Sequence, residues 1–111
     1  MDYLKLLIDK IINSDEEELR RNIYKTDIEP EPDEVRKGKF SLMYSEDLQH
    51  SYGVSFVDDN ILYVYHFQSL KYLLEAHYNP ENHSWYISGK DSDASMSSII
   101  MLASKLRKVL K

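Results

Sequence analysis

Apolar residues near the start of the chain recur with the spacing of an amphipathic helix. The stripe consists of Tyr3, Leu4, Leu7, Ile8, Ile11 and Ile12. Residues three and four positions apart share one helix face, so the segment predicts a helix that buries this face. A capping box at Ser14 and Glu17, in which each side chain can bond the other's backbone amide, predicts a second helix from Asp15 to about Lys25.

From Phe40 the apolar period changes to two, which is typical of β-strands. Strands are predicted at 40–44, around 54–56, at 61–67 and around 85–87. The pair Asp59-Asn60 predicts a two-residue hairpin turn, which would place Phe56 opposite Tyr63. Residues 69–78 fit a helix or a strand. The strand is preferred because a turn at 79–82 would pair it with the strand that follows.

The end of the chain predicts a long helix over about 94–110. Asp91, Ser92 and Asp93 each offer an N-cap. One helical face then carries Met96, Ile99, Ile100, Ala103, Leu106 and Leu110. The predicted fold class is therefore α+β: two N-terminal helices, an antiparallel meander sheet of about five strands, and a long C-terminal helix packed on the sheet.

The length of 111 residues predicts one α+β domain. Its helical part covers 1–25, an acidic loop with two prolines covers 26–39, the sheet covers 40–89 and the C-terminal helix covers 93–111. Pro30 and Pro32 exclude both a helix and a central strand from the loop.

The predicted pairings divide the sheet into two faces. One face, under the last helix, would hold Tyr63, Tyr65, Tyr72 and Trp85 among others. The opposite face would hold an apolar centre of Leu62, Val64 and Leu73, with Tyr86 nearby. Either the N-terminal helices cover this centre or a partner does, and a second copy of the chain is one such partner.

Composition and charge narrow the function classes. The chain has 19 acidic and 14 basic residues, a net charge of −5 and no cysteine. Without cysteine there is no disulfide framework, no thiolate nucleophile and no cysteine zinc site. Between residues 40 and 89 the only lysine or arginine is Lys71, which argues against phosphate binding by that segment. The N-terminus lacks a basic signal-peptide region and no apolar run approaches a membrane span, so we expect a cytoplasmic protein.

Candidate catalytic and metal-binding residues are few. Glu75 and His77 share one face of a strand, but His83 falls on the other side of the predicted ladder, so we expect no metal site. Asp58 and Asp59 fit a hairpin tip better than a carboxylate pair for acid–base chemistry. The chain has neither the G-x-S-x-G motif nor a glycine-rich phosphate loop. We therefore expect no catalytic residue, no cofactor and no enzyme activity.

The remaining features favour a non-catalytic protein-binding module that acts on a basic protein partner. We expect a small acidic inhibitor, immunity-type or chaperone-type protein of a bacterium or phage. Its general character is similar to that of small bacterial immunity or antitoxin proteins and secretion chaperones, although no residue motif carries this likeness. The predicted partner-binding residues are Asp27, Glu29, Glu31, Asp33, Glu34, Asp58, Asp59, Leu73, Glu81 and Tyr86.

Two alternatives stay open. The first is a small-ligand-binding protein or minor enzyme, with a pocket between the sheet and the C-terminal helix. That pocket would be lined by Tyr63, Tyr65, Tyr72 and Trp85. The second is nucleic-acid binding through Lys105, Arg107, Lys108 and Lys111, although cations in the last turns of a helix are also explained by the helix dipole.

Overall fold

Three helices and six strands make up the computed structural model, which describes residues 1–25, 39–44, 50–69 and 71–110. The helices are α1 (Tyr3–Ile12), α2 (Glu16–Arg21) and α3 (Met96–Leu110). The strands are β1 (Ile23–Lys25), β2 (Lys39–Tyr44), β3 (Ser51–Val57), β4 (Ile61–His66), β5 (Lys71–Asn79) and β6 (Ser84–Lys90). The α+β fold class is thereby confirmed, and 71–78 form a strand rather than a helix, as predicted; Ser69 lies in a turn and Leu70 lies outside the described residues.

The helix boundaries follow from caps that differ from the predicted ones. Asp2 begins α1, where its carboxylate accepts from the Lys5 amide. The predicted capping box is wrong: Ser14 Oγ donates to Lys10 O at 2.8 Å, and Asp15 caps α2 by accepting from the Glu18 amide at 2.7 Å. The second helix is also shorter than predicted, because Ile23–Lys25 leave it to form β1.

The six strands lie in sequence order and every neighbouring pair is antiparallel. The β3–β4 connection differs from its prediction. Val57 pairs with Ile61, so the loop holds three residues, and Asp58 and Asp59 both adopt left-handed backbone with φ of 54° and 62°. Phe56 consequently lies opposite Leu62 rather than Tyr63. A shift of one residue exchanges the faces of a strand, so the predicted division of the sheet is wrong here.

All three helices pack on one face of the sheet. Leu7 of α1, Leu19 of α2 and Leu106 of α3 belong to the same buried cluster as alternate residues of the central strands. Those strand residues are Tyr52, Val54, Leu62, Val64, Leu74 and Ala76. The N-terminal helices therefore share a layer with α3 and do not cover the opposite face.

Candidate functional site

The face of the sheet opposite the helices carries an aromatic surface around one carboxylate. In the strand register, Tyr63 of β4 lies opposite Glu75 of β5, and Glu75 lies opposite Gly89 of β6. The neighbouring row joins Ile61, His77 and Tyr86. We name this region the tyrosine surface and define it as Tyr63, Tyr72, Glu75, His77, Tyr86 and Ser88.

Glu75 is the central polar group of the tyrosine surface. His77 Nε2 lies 2.7 Å from its Oε2, and the Ser88 hydroxyl donates to the same oxygen. Hydrogen bonds from His77, Ser88 and Tyr63 hold the pKa of the Glu75 carboxyl below its ordinary value, against the opposing effect of burial. The carboxylate is therefore ionised at neutral pH while its side chain is only 23% exposed.

Aromatic rings surround this carboxylate and reach solvent. Tyr86 is 68% exposed and Tyr72 is 37% exposed. The Tyr86 ring lies 6.0 Å from the His77 ring, and the Tyr63 ring lies 6.4 Å from the Tyr72 ring. The Tyr72 hydroxyl extends toward Gly89, since a Cβ at that position would lie 3.4 Å from it. The Tyr72 ring thus lies beside Gly89, and the Ser88 hydroxyl is the β6 side-chain group that bonds Glu75.

A second polar cluster lies at the end of β4, beside the start of α1. His66 is 4% exposed, and its ring stacks on Tyr3 with centroids 3.8 Å apart. Its Nε2 lies 3.4 Å from Nδ1 of His50, and its Nδ1 lies 2.7 Å from the Ser69 hydroxyl. Burial lowers the pKa of His66, and the neighbouring charges of His50 and Lys71 lower it further.

The contact between His66 and Ser69 places a base beside a hydroxyl, which sequence reasoning missed. Ser69 Oγ also accepts from the Lys71 amide at 3.3 Å, a local bond of the kind that fixes a turn. The stacked Tyr3 ring covers one face of the imidazole. This arrangement therefore supports the β4–β5 turn and the docking of α1.

Within the described ranges, no group of three or more histidine, cysteine or acidic side chains could hold a metal ion. Glu75 and His77 contact each other, as their shared strand face predicts. His83 adopts left-handed backbone with φ 55° in the β5–β6 turn, and its Nδ1 lies 2.8 Å from the Tyr78 hydroxyl.

The structure describes three of the predicted partner-binding acids and leaves the others outside its described residues. Asp58 and Asp59 are exposed in the β3–β4 turn, and Glu81 is exposed in the β5–β6 turn. These turns lie at the same end of the sheet, where the Tyr78 amide donates to Asn60 O at 2.8 Å. The remaining predicted acids, Asp27, Glu29, Glu31, Asp33 and Glu34, lie outside the described residues.

Leu73 cannot contribute to a binding surface. It is 0% exposed and belongs to the core cluster, whereas Tyr86 lies on the opposite face. The cause is a shift in the β4–β5 register between Val64 and Tyr65, which leaves both Leu73 and Leu74 buried. The predicted apolar patch is thus part of the core.

The residues predicted to line a ligand pocket do not meet beneath the C-terminal helix. Trp85 packs against the core on the helical side. Tyr63 and Tyr72 belong to the tyrosine surface, and Tyr65 lies on their side of the sheet, opposite Gly53 and Tyr72 in the register. The register of β3 and β4 keeps the tyrosine rings away from the helices, because it places Leu62 and Val64 under the helices instead.

Most of the basic residues of α3 have partners within the chain. Lys105 Nζ donates to Ile11 O at 2.7 Å and to Ser14 O, and so caps the end of α1. Arg107 lies over the Tyr78 ring at 4.0 Å, and Lys108 pairs with Glu16 at 2.8 Å. Lys111 lies outside the described residues.

Comparison with protein-family models, curated proteins and solved structures gives no match. Along the parts of the chain that the structure describes, no helix is both long and apolar enough to span a membrane.

Proposed function

We propose that the chain is a non-catalytic protein-binding module that binds a basic protein partner through the tyrosine surface. The observation that carries this proposal is the exposure of Tyr86 beside the ionised Glu75, on a sheet face that no described helix covers. Inhibitor, immunity-type and chaperone-type proteins are the classes that act in this way. The cytoplasm of a bacterium or phage host is the setting we propose for it.

The chemistry of the surface suits protein recognition. Tyrosine contributes a large contact area with few rotatable bonds and a hydroxyl that can bond at the rim. Exposed tyrosines are therefore favoured anchors in interfaces. Tyr72 and Tyr86 lie on strands held by backbone pairing on both sides of β5, so their positions are set before a partner arrives.

Charge supports a basic partner. The net charge of the chain is −5, and Asp58, Asp59 and Glu81 add exposed acids at one end of the sheet. Such charges accelerate the encounter with a basic surface more than they strengthen the final complex. Glu75 lies within the tyrosine surface itself, so its charge stabilises the complex after the encounter.

The arrangement around Glu75 supports binding rather than catalysis. His77 and Ser88 both contact the carboxylate, so the base and the hydroxyl are directed to the same acid. Nucleophilic catalysis needs the base to contact the hydroxyl.

The test is capture of partners from a lysate of the source cell by three tagged forms of the protein. These are the unmodified chain, Tyr86→Ala, and the control Met101→Ala, which removes an exposed apolar side chain from α3. We expect a basic protein in stoichiometric amount with the unmodified chain and with the control, and its loss with Tyr86→Ala. Equal capture by Tyr86→Ala would refute the surface assignment.

Salt and light scattering complete the test. Release of the partner at high salt, with slower association after Asp58→Asn and Asp59→Asn together, is expected from electrostatic steering. A chain that captures no other protein and is dimeric by light scattering would replace the basic partner with a second copy.

A further inference from the structure

We infer that the tyrosine surface receives an arginine side chain of its partner, with the guanidinium against Glu75 and beside the rings of Tyr72 and Tyr86. This inference rests on the proposed function, since it takes the partner to be a protein. Beyond that function, it names the side chain of the partner that the tyrosine surface recognises.

The first step is the state of the carboxylate. Glu75 is half-buried, and within the described part of the chain the basic side chain in contact with it is His77, whose imidazole is charged only when protonated. The Ser88 and Tyr63 hydroxyls that also bond it carry no charge. A partner cation therefore meets an ionised acid in a partly dehydrated position, where a charge pair is stronger than at a fully exposed one.

The second step is the space beside it. Glu75 lies opposite Gly89 in the register, and the nearest neighbour of a Cβ built there is the Tyr72 hydroxyl. The β5–β6 register also shifts next to Glu75, which places Ser88 beside the acid without a pairing partner of its own. Tyr72 thus lies over Gly89 on one side of Glu75 and Tyr86 lies beside His77 on the other, so a planar group that reaches the acid comes between the two tyrosines.

The third step is the choice of arginine over lysine. A guanidinium is planar and weakly hydrated, and it stacks on aromatic faces while it donates to a carboxylate. An ammonium group is strongly hydrated and loses more when it leaves water. The chain holds one such contact on its other face, where the Arg107 guanidinium lies 4.0 Å over the Tyr78 ring and its Nη2 donates to Asn60 Oδ1 at 3.5 Å.

The experiment is a titration of the isotope-labelled protein, followed by NMR, with three blocked tripeptides. They are acetyl-Gly-Arg-Gly-amide, its lysine analogue and its citrulline analogue, which keeps the shape of arginine without the charge. We expect saturable shifts at Tyr72, Tyr86 and Gly89 with the arginine peptide. The lysine peptide should bind about two- to fivefold more weakly, as the difference in cation–π stabilisation implies, and citrulline should not bind measurably.

Two variants locate the interaction. Glu75→Gln should abolish the shifts, whereas Glu81→Gln, which removes the same charge from the exposed β5–β6 turn, should leave them unchanged. Tyr86→Ala serves if Glu75→Gln disturbs the spectrum of the fold, because Tyr86 is largely exposed, and it should weaken arginine binding at least twofold. Equal binding of arginine and lysine, or shifts confined to Asp58, Asp59 and Glu81, would overturn the inference.

The inference and the proposed function can fail separately. Partner capture that requires Tyr86 but is unchanged by Glu75→Gln would keep the binding module and remove arginine recognition. Arginine binding at Glu75 without capture of any partner would support the recognition chemistry and count against the proposed function.

Discussion

Gly53 lies beneath the ring of Tyr65, and this close approach gives a sharp test of the sheet register. The two residues are paired across β3 and β4. A Cβ added at Gly53 would lie 2.5 Å from Cε2 of the ring, and closer still to Cζ and the hydroxyl oxygen. Real Cβ atoms essentially never approach another atom this closely, so Gly53→Ala requires the ring or the strand to move.

The cost follows from the burial of the ring. Tyr65 is 2% exposed, and burial also raises the pKa of its phenol. A ring so enclosed cannot swing into solvent, so we expect the overpacking cost of about 1–3 kcal/mol in the free energy of unfolding. Replacing a strand glycine by alanine would otherwise stabilise the chain by roughly 0.5–1 kcal/mol. A loss of stability in Gly53→Ala, rather than a gain, would therefore indicate the contact with Tyr65.

The assay is a double-mutant cycle measured by urea unfolding, with the fluorescence of Trp85, the single tryptophan, as the probe. Gly53→Ala should destabilise the unmodified chain and the Tyr65→Phe variant alike, because both keep the ring. In a Tyr65→Leu background the same change should be neutral or stabilising. The coupling should then be about 1–3 kcal/mol. Equal costs in the phenylalanine and leucine backgrounds would refute the contact and the register that produces it.

Three further predictions test other parts of the structure. The pKa of His66 is lowered in the folded chain, so the unfolded chain takes up a proton at higher pH and stability should fall as the pH drops below about 6.5. In urea titrations His66→Gln should flatten this dependence between pH 7 and 5. An unchanged slope would count against a role for His66. Lys105→Met should lower the free energy of unfolding by about 1–3 kcal/mol because it removes the charged donor that Ile11 O and Ser14 O share at the end of α1. Lys108→Met, at an exposed pair, should cost less than about 1 kcal/mol. Equal losses would contradict the cap. Leu74→Ala should cost about 2–5 kcal/mol by thermal or urea unfolding, and Tyr86→Ala should stay within about 0.5 kcal/mol; a similar cost for both would mean that Tyr86 belongs to the core.

The elements of this fold could be predicted because their apolar periods are long and regular. The apolar faces of α1 and α3 each repeat several times, so single exceptions do not obscure them. The relative faces of the strands could not be predicted with equal success, since they depend on the exact number of residues in a turn. Asp58 takes part in the β3–β4 turn, and that one residue exchanges the sides of Tyr63 and Leu62.

The candidate site could be predicted only in part, for the same reason: Tyr86 is among the predicted partner-binding residues, but its neighbours differ. Glu75, His77 and Tyr86 were placed together on one face from their alternation, but with Leu73 and Val64 as neighbours instead of Tyr63 and Tyr72. A three-residue turn at Asp58–Asn60, weighed alongside the two-residue one, would have joined the tyrosines to the acid. The register shifts within β4–β5 and β5–β6 leave no comparable trace in the sequence.

The mutual dependence of α1 and α3 has a consequence for synthesis on the ribosome. The Asp2 carboxylate accepts from the Ser92 hydroxyl and the Asp93 amide, and Lys105 binds the other end of α1. The α1 helix is thus completed by residues that are translated after the six strands. At a translation rate of roughly 5–20 residues per second, the apolar stripe of α1 stays without its contacts to α3 for several seconds. Nascent chains stalled before residue 96 should therefore bind a general chaperone such as trigger factor, and chains stalled after α3 has emerged should not.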